Sequence, residues 1–189
     1  MPSKLTLPIL LAELRAGNPD ADITILIGTG LHRPTTPEEQ RRMFGDVIVD
    51  NEKIAVNDAF KPEDFVKVCD LPSGAEFFCN KIAVECDLLV TEGFIEPHFF
   101  AGFSGGRKSV LPGVCDQVTV LGNHCAKFIA SDCARTGVLE GNPIHKDMVC
   151  AARAVNVQFI MNVALDGEKL VGFSYIECWG HGDFVATSG

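Results

Sequence analysis

Three stretches of this chain place reactive side chains after predicted strands or inside glycine-rich turns. The first is Gly28–His32 (GTGLH), which begins like the dinucleotide-binding fingerprint. Arg33 stands where that fingerprint needs its third glycine, so we reject an ordinary Rossmann NAD site. What remains is His32 at the carboxyl end of a buried strand, where open α/β sheets place their sites. The alternative is a loop histidine that only satisfies a turn.

The second stretch is Glu96-Pro97-His98, which also follows a predicted buried strand. The proline fixes the backbone beside the histidine, and the position again matches the edge at which α/β sheets carry their sites. His98 is therefore a candidate catalytic residue. A solvated loop histidine is the competing interpretation.

The third stretch, Gly102–Ser109 (GFSGGRKS), nearly spells a phosphate-binding P-loop. Counted from Gly102, the spacing needs a glycine at position 107, where Arg107 stands, and a lysine at position 108, which is present. Glycines, a hydroxyl and two cations still suit an anionic group, because close backbone N–H donors and positive charge both bind phosphate. The alternative is a tight turn with two solvated cations. The candidate phosphate-binding residues are Ser104, Gly105, Gly106, Arg107 and Lys108.

The remaining histidines carry weaker signals. His124 follows Asn123 after an apolar run, whereas His145 and His181 are expected to be exposed or capping residues. The sequence holds no HxH or HExxH pattern and no CxxC pair, so a metal held by this chain alone needs ligands from distant loops. The eight cysteines are interpreted as small buried hydrophobes in a reducing cytosol.

Strands and helices alternate around these stretches, which predicts an α/β fold. A capping box at Thr36 predicts the start of a helix, and Gly45 predicts its end. A helix nearer the N-terminus is predicted with Pro8 near its first turn and Gly17 at its end. We expect a Rossmann-like layered sheet with helices on both faces. Predicted strands are 23–27, 47–49, 53–56, 75–78, 87–91, 157–164 and 169–173, with a long functional loop at 92–113, a helix at 143–155 and a hairpin turn at Asp166-Gly167.

Composition narrows the classes of partner. The chain has 189 residues, 47% of them hydrophobic, and a formal net charge of −9 without basic runs, which argues against nucleic-acid binding. No apolar stretch approaches the ~18–20 residues of a membrane helix. We expect a cytoplasmic protein with a small-molecule partner, whose anionic groups are held by a few local cations.

The motifs together resemble one family. Gly93–His98, Gly102–Lys108 and Leu111–Gly113, with matching segments at 28–34, 123–124 and 141–145 in the same order, closely resemble the nickel-pincer lactate racemases. The likeness covers 2–173, and we take 1–173 as the N-terminal catalytic domain. Residues 174–189 do not match the family in a recognisable way.

The resemblance implies a role for each matching residue. Lys108 matches the lysine that bonds the cofactor through a thioamide, and His124 matches the histidine that completes the nickel coordination. His32 and His98 match two catalytic histidines, which take and return a hydroxyl proton while a hydride leaves and re-adds at the α-carbon. The implied cofactor is nickel in pyridinium-3-thioamide-5-thiocarboxylic acid mononucleotide, which cofactor-synthesis proteins supply. An unperturbed imidazole pKa of ~6.5 suits both proton roles near neutrality.

The sequence also departs from the family. Met1 stands where an upstream Asp-x-Thr-Arg-Pro motif should end, and the family's second domain has no counterpart. We therefore expect part of a two-domain enzyme, which self-associates or works with a second domain, and which is inactive alone. Alternatives are a non-catalytic nucleotide-binding remnant or partner subunit with the same fold, and a phosphotransfer domain built on 102–109.

Overall fold

The computed structural model describes residues 2–165 and the strand at 171–178. Helix α1, Ser3–Gly17, opens the fold and ends at the predicted glycine. It begins further upstream than predicted, so Pro8 lies inside the helix and not in its first turn. Proline lacks an N–H and removes one helical hydrogen bond there. Leu7 and Leu11 turn inward from the same face.

A small α/β unit follows. Strands β1 (Thr24–Ile27) and β2 (Lys53–Val56) pair in parallel, and helices α2 (Pro37–Phe44) and α3 (Asp46–Asn51) connect them. Both arms of the predicted capping box between Thr36 and Glu39 are present at the start of α2.

The predicted strand at 47–49 is wrong, because these residues lie in α3. The helical turn buries Ile48 in a small hydrophobic cluster with Leu7, Leu11 and Phe44, while Val47 stays exposed. Tertiary packing therefore overrides the β-propensity of two valines and an isoleucine.

Two further groups of strands build the rest of the fold. Strands β3 (Phe65–Asp70) and β4 (Glu76–Asn80) form an antiparallel pair that leads into the short helix α4 (Lys81–Glu85). Strand β5 (Leu89–Ile95) pairs in parallel with β8 (Val157–Leu165), which pairs antiparallel with β9 (Val171–Cys178). The two strands of the predicted terminal hairpin are confirmed as an antiparallel pair. Its turn at Asp166-Gly167, and His181, lie outside the described residues.

The connection between β5 and β8 carries most of the candidate residues. It contains the two-residue strands β6 (Pro97–His98) and β7 (Gly102–Phe103), a 3₁₀ turn at Gly106–Ser109, and helices α5 (Gln117–Asn123), α6 (Ala126–Ile129) and α7 (Pro143–Ala154). Asn142 caps α7 by accepting the N–H groups of Ile144 and His145, as the predicted Asn-Pro start requires.

The α/β class is confirmed, but a single Rossmann-like sheet is not. In the described part of the chain the strands form four separate sheets of two or three strands. A main core beneath β4, β5, α5 and α7 includes fully buried Phe77, Leu111 and Met148. Within 2–165, Cys79 and Cys115 alone are fully buried cysteines, so burial was over-predicted for the others. Among the described helices, none is long and apolar enough to cross a bilayer.

Candidate active site

His98 lies in a short hairpin after β5, in which the strands β6 and β7 have two residues each. It pairs across the hairpin with Gly102, whose φ of +80° few residues other than glycine adopt. A Cβ at that glycine would come within 2.5 Å of the Val138 carbonyl oxygen. His98 Nδ1 accepts the Ala101 N–H at 3.3 Å, which favours the neutral tautomer with its proton on Nε2.

Phe100 brings His98 and His124 into one cluster. Its ring lies edge-on to His98 at 4.6 Å and edge-on to His124 at 5.0 Å, measured between centroids. Phe99 stacks on the His98 ring at 4.7 Å and is 73% exposed. Our sequence reasoning did not assign either phenylalanine to the site, although both follow His98 directly.

Arg107 is a structural cation and not a solvated one. Its side chain is 1% exposed and donates to the Ala101 and Phe103 carbonyls at 3.0 and 2.9 Å. Burial lowers the pKa of Arg107 to about 10. Its guanidinium thus fixes the hairpin that presents His98, and its charge acts on the neighbouring groups through a poorly screened interior.

Lys108 is half-buried in the 3₁₀ turn beside that charge. Burial, and then repulsion by Arg107, lower the pKa of Lys108 to about 8, although Glu96 opposes the shift. An ordinary lysine has a pKa of about 10.4. Lys108 therefore presents a neutral, nucleophilic amine to a useful extent near neutral pH.

Three histidines of the site region are neutral at pH 7. Burial, followed by nearby positive charge, lowers the pKa of His98 and of His145 to about 4. Burial, then Lys108 and His98, lower the pKa of His124 to about 4 as well. These values lie below the unperturbed pKa on which the sequence argument relied. The Nδ1 atoms of His124 and His145 are buried and have no hydrogen-bond partner among the described residues.

The other predicted cofactor residues tie the turn to the strands. Ser104 Oγ accepts the Glu96 N–H and donates to the Phe94 carbonyl, both at 3.1 Å. The Gly106 N–H donates to Asn162 Oδ1 at 3.1 Å. A Cβ at Gly105 would lie 3.1 Å from the Phe94 carbonyl oxygen. The Ser104 hydroxyl and the Gly106 N–H already have protein partners, so the P-loop alternative loses two of the donors that it would use.

His32 stands apart from this cluster. Its side chain is exposed and borders a shallow depression formed with Arg33 and Arg42. Its loop is anchored through the backbone, because the Gly30 N–H donates to the Gly113 carbonyl at 3.0 Å. Among the described residues, no hydrogen bond or ring contact links His32 to the cluster of His98 and His124.

The described residues offer little capacity for binding a metal ion. Within the residues that the structure describes, no three His, Cys, Asp or Glu side chains form a group that could hold an ion. A metal ion at His124 would therefore not find three ligands of these types within this part.

The amine of Lys108 should be identifiable by its pH profile. In competitive labelling with acetic anhydride, we expect acylation of Lys108 to rise with a midpoint near pH 8, because its pKa is lowered to about 8. Ordinary lysines should follow a midpoint near 10.4. Quantitative peptide mass spectrometry gives the profile for each lysine. A Lys108 midpoint above pH 9.5 would contradict the burial and charge described for it.

The three half-buried histidines should make the fold sensitive to mild acid. Their folded pKa of about 4 lies below the unfolded value of ~6.5, so the unfolded chain binds more protons between these limits. Their contribution to stability is complete above pH 6.5 and is lost as pH falls towards 4. Urea unfolding across this window should show a shallower loss for His145→Gln than for the parent chain. Equal slopes would rule out His145 as a contributor.

Comparison with known proteins gives one consistent family. The lactate racemase N-terminal domain matches residues 1–137. Over 171 residues, the chain is 54% identical to the lactate racemase of Thermoanaerobacterium thermosaccharolyticum and 53% identical to that of Lactiplantibacillus plantarum. Each alignment covers 90% of this chain and 40% of the relative, so the chain spans about two fifths of their length.

Solved structures agree with this match. The lactate racemase apoprotein from T. thermosaccharolyticum superposes with a TM-score of 0.92 at 51% identity, over 94% of this chain and 42% of the other. A Thermotoga maritima protein superposes with a TM-score of 0.74 at 24% identity, over 89% of this chain and 45% of its own. At that identity the likeness supports the fold alone.

Proposed function

Because this chain belongs to the lactate racemase N-terminal domain family, we propose that it forms the catalytic-domain part of a 2-hydroxyacid racemase or epimerase. The substrate is lactate or a related 2-hydroxy acid. The observation that carries the proposal is the joining of His98, Lys108 and His124 in one half-buried site. A second domain, in the same polypeptide or another, would complete the substrate contacts.

Two features of the site fit a covalently attached nickel-pincer mononucleotide. The lowered pKa of Lys108 supplies the neutral amine that a thioamide bond needs. The neutral imidazole of His124, with an unpartnered buried Nδ1, suits a borderline metal such as nickel. Ser104, Gly105, Gly106 and Arg107 would hold the turn that presents Lys108. Separate cofactor-synthesis proteins would supply the group.

The side chains of this chain handle protons and not hydrides. When bound, the cofactor supplies the hydride acceptor that amino-acid side chains lack. His32 and His98 would take the hydroxyl proton as the α-carbon is oxidised and return it as the planar keto acid is reduced. Each histidine would serve one hand of the substrate.

The hydrogen bond from Ala101 sets the starting state of His98. With its proton on Nε2, the neutral ring is ready to donate from that nitrogen. Accepting a proton at Nε2 first requires the other tautomer, and that change breaks the Ala101 contact because Nδ1–H and the Ala101 N–H would both be donors. Burial is the main cause of the lowered pKa of His98, and attachment at Lys108 would remove one of the two positive charges that lower this pKa further.

An isotope experiment tests the reaction type. The chain would be co-expressed with the cofactor-synthesis proteins, and the remaining part of a relative would be supplied in trans. Racemisation of [2-²H]lactate would then be followed by chiral chromatography and mass spectrometry. Hydride transfer predicts that the product keeps its deuterium, and that His98→Gln loses most of the rate. Deuterium washed out into solvent would overturn the hydride mechanism.

We also place this reaction in the cytosol. Each cysteine within 2–165 is a free thiol, which fits a reducing compartment. Burial raises the pKa of the Cys79 thiol to about 12, so that thiol stays protonated and inert.

A further inference from the structure

A buried amide–carboxylate pair lies directly beside His124. Asn123 and Asp147 are both 0% exposed, and Asn123 Nδ2 donates to Asp147 Oδ2 at 3.2 Å. The same nitrogen donates to the Ile144 carbonyl at 3.3 Å. Asp147 Oδ1 accepts the Ser73 N–H at 3.1 Å. We call Asn123 and Asp147 the clamp.

The clamp is costly to bury, and the mechanism above does not use it. In the described part of the chain Asp147 forms no salt bridge, so its carboxylate depends on neutral donors. A buried charge without a counter-ion is unfavourable unless hydrogen bonds satisfy it. The apolar surroundings of α7, with Ile144 and Met148 fully buried, would otherwise favour another apolar residue at position 147.

We propose that Asn123 and Asp147 are positioning residues for His124. Asn123 is the last residue of α5, and His124 follows it as the C-cap, with its N–H donating to the Val120 carbonyl at 2.8 Å. Fixing the Asn123 side chain to α7 therefore fixes the backbone from which the His124 imidazole projects. That this position matters for a metal rests on the proposed function.

The aromatic contact of the His124 imidazole also depends on helix α7. Phe100, which lies edge-on to His124, has its carbonyl bound by Asn142 Nδ2 at 2.9 Å, at the start of α7. Helix α7 thus holds His124 from two sides, through the clamp and through Phe100. A preset ring orientation raises metal affinity because little order must be gained on binding.

The amide of Asn123 is oriented by its donors alone. Its Oδ1 is buried and has no partner among the described residues. In Asp147→Asn, the new NH₂ must face either Asn123 Nδ2 or the Ser73 N–H, and both of these groups are donors. Turning the Asn123 amide so that it accepts the new NH₂ sets its oxygen against the Ile144 carbonyl. Each arrangement therefore loses one hydrogen bond, and the bond from Asn123 that survives is made to a neutral amide oxygen, which is a weaker acceptor than a carboxylate, while the volume at position 147 barely changes.

The test compares Asp147→Asn with Asp116→Asn. Asp116 lies at the opposite end of α5, where its Oδ1 accepts the Thr119 N–H at 2.8 Å, so the control makes the same carboxylate-to-amide change on the same helix away from His124 and keeps a capping oxygen. Long-range ¹H–¹⁵N spectra of the free, histidine-labelled chain at pH 7 report the imidazole directly. We expect the His124 signals to shift or broaden in Asp147→Asn and to stay unchanged in Asp116→Asn. Unchanged His124 signals in Asp147→Asn would overturn the proposal, as would equal changes in both variants.

A second measurement links positioning to the metal. In chain loaded by the cofactor-synthesis proteins, Asp147→Asn should carry about 10-fold less nickel per Lys108 adduct after dialysis, the usual scale for a lost supporting contact. The amount of adduct itself should not change. Undiminished nickel would contradict the clamp's role. If the unsubstituted chain carries no adduct, the proposed function fails, whereas the spectra of the free chain still decide the positioning of His124.

Discussion

Lys108→Met should abolish cofactor attachment and racemisation while leaving the chain folded. Methionine keeps the length and apolar stem of the side chain but has no nucleophilic nitrogen. Racemisation should fall by about 10⁴-fold or more, the scale on which loss of an essential group acts. Because burial already disfavours the ammonium, its removal should change the free energy of unfolding by less than about 1 kcal/mol. Intact-mass spectrometry, chiral rate assays and urea unfolding measure the three effects.

A matched variant separates attachment from metal binding. His124→Ala retains Lys108 and should keep the adduct, but it should lose nickel and racemisation. Both variants would then be inactive, but only His124→Ala would show the added mass of the adduct. An adduct in Lys108→Met at another lysine would contradict the account, because only Lys108 is expected to combine a lowered pKa with the histidine cluster.

Gly102→Ala should be among the most destabilising single substitutions in the chain. The position has φ of +80°, and an added Cβ would meet the Val138 carbonyl oxygen at 2.5 Å and Leu139 Cδ2 at 2.8 Å. Backbone strain and a clash with the main chain should together lower the free energy of unfolding by about 3 kcal/mol or more. Denaturant unfolding at pH 7.5 measures the loss.

Gly74→Ala is the control for backbone strain alone. Gly74 has φ of +86°, and nothing lies within 4 Å of an added Cβ. It should lose about 1 kcal/mol, the cost of a left-handed alanine. Comparable losses in the two variants would show that the Val138 contact does not constrain the hairpin carrying His98.

Local signals explain which parts of the fold could be predicted from sequence. The α2 capping box and the Asn142 cap of α7 depend on residues three or fewer positions apart, so the pattern shows them directly. The helix at 46–51 could not be foreseen, because burial of Ile48 against α1 and Phe44 decides it. Sheet assembly likewise depends on pairings between strands far apart in the chain.

The same distinction holds at the site. Glycine spacing and the histidines marked the stretches around His98 and Lys108. Burial of Arg107 was missed, because its partners are carbonyl groups and carry no side-chain signal. The clamp was missed because Asn123 and Asp147 meet only after α5 and α7 pack. The shifted pKa values follow from that packing as well, so neutrality of the cluster could not be inferred from residue types.

The attachment of a cofactor at Lys108 is the central claim, and peptide mapping tests it most directly. Trypsin cleaves after Arg107 and, at an unmodified lysine, after Lys108. Chain co-expressed with the cofactor-synthesis proteins should yield peptide 108–127 with an uncleaved first lysine and an added mass equal to the mononucleotide joined through a thioamide. Recovery of peptide 109–127 alone, with no added mass on Lys108, would contradict the account.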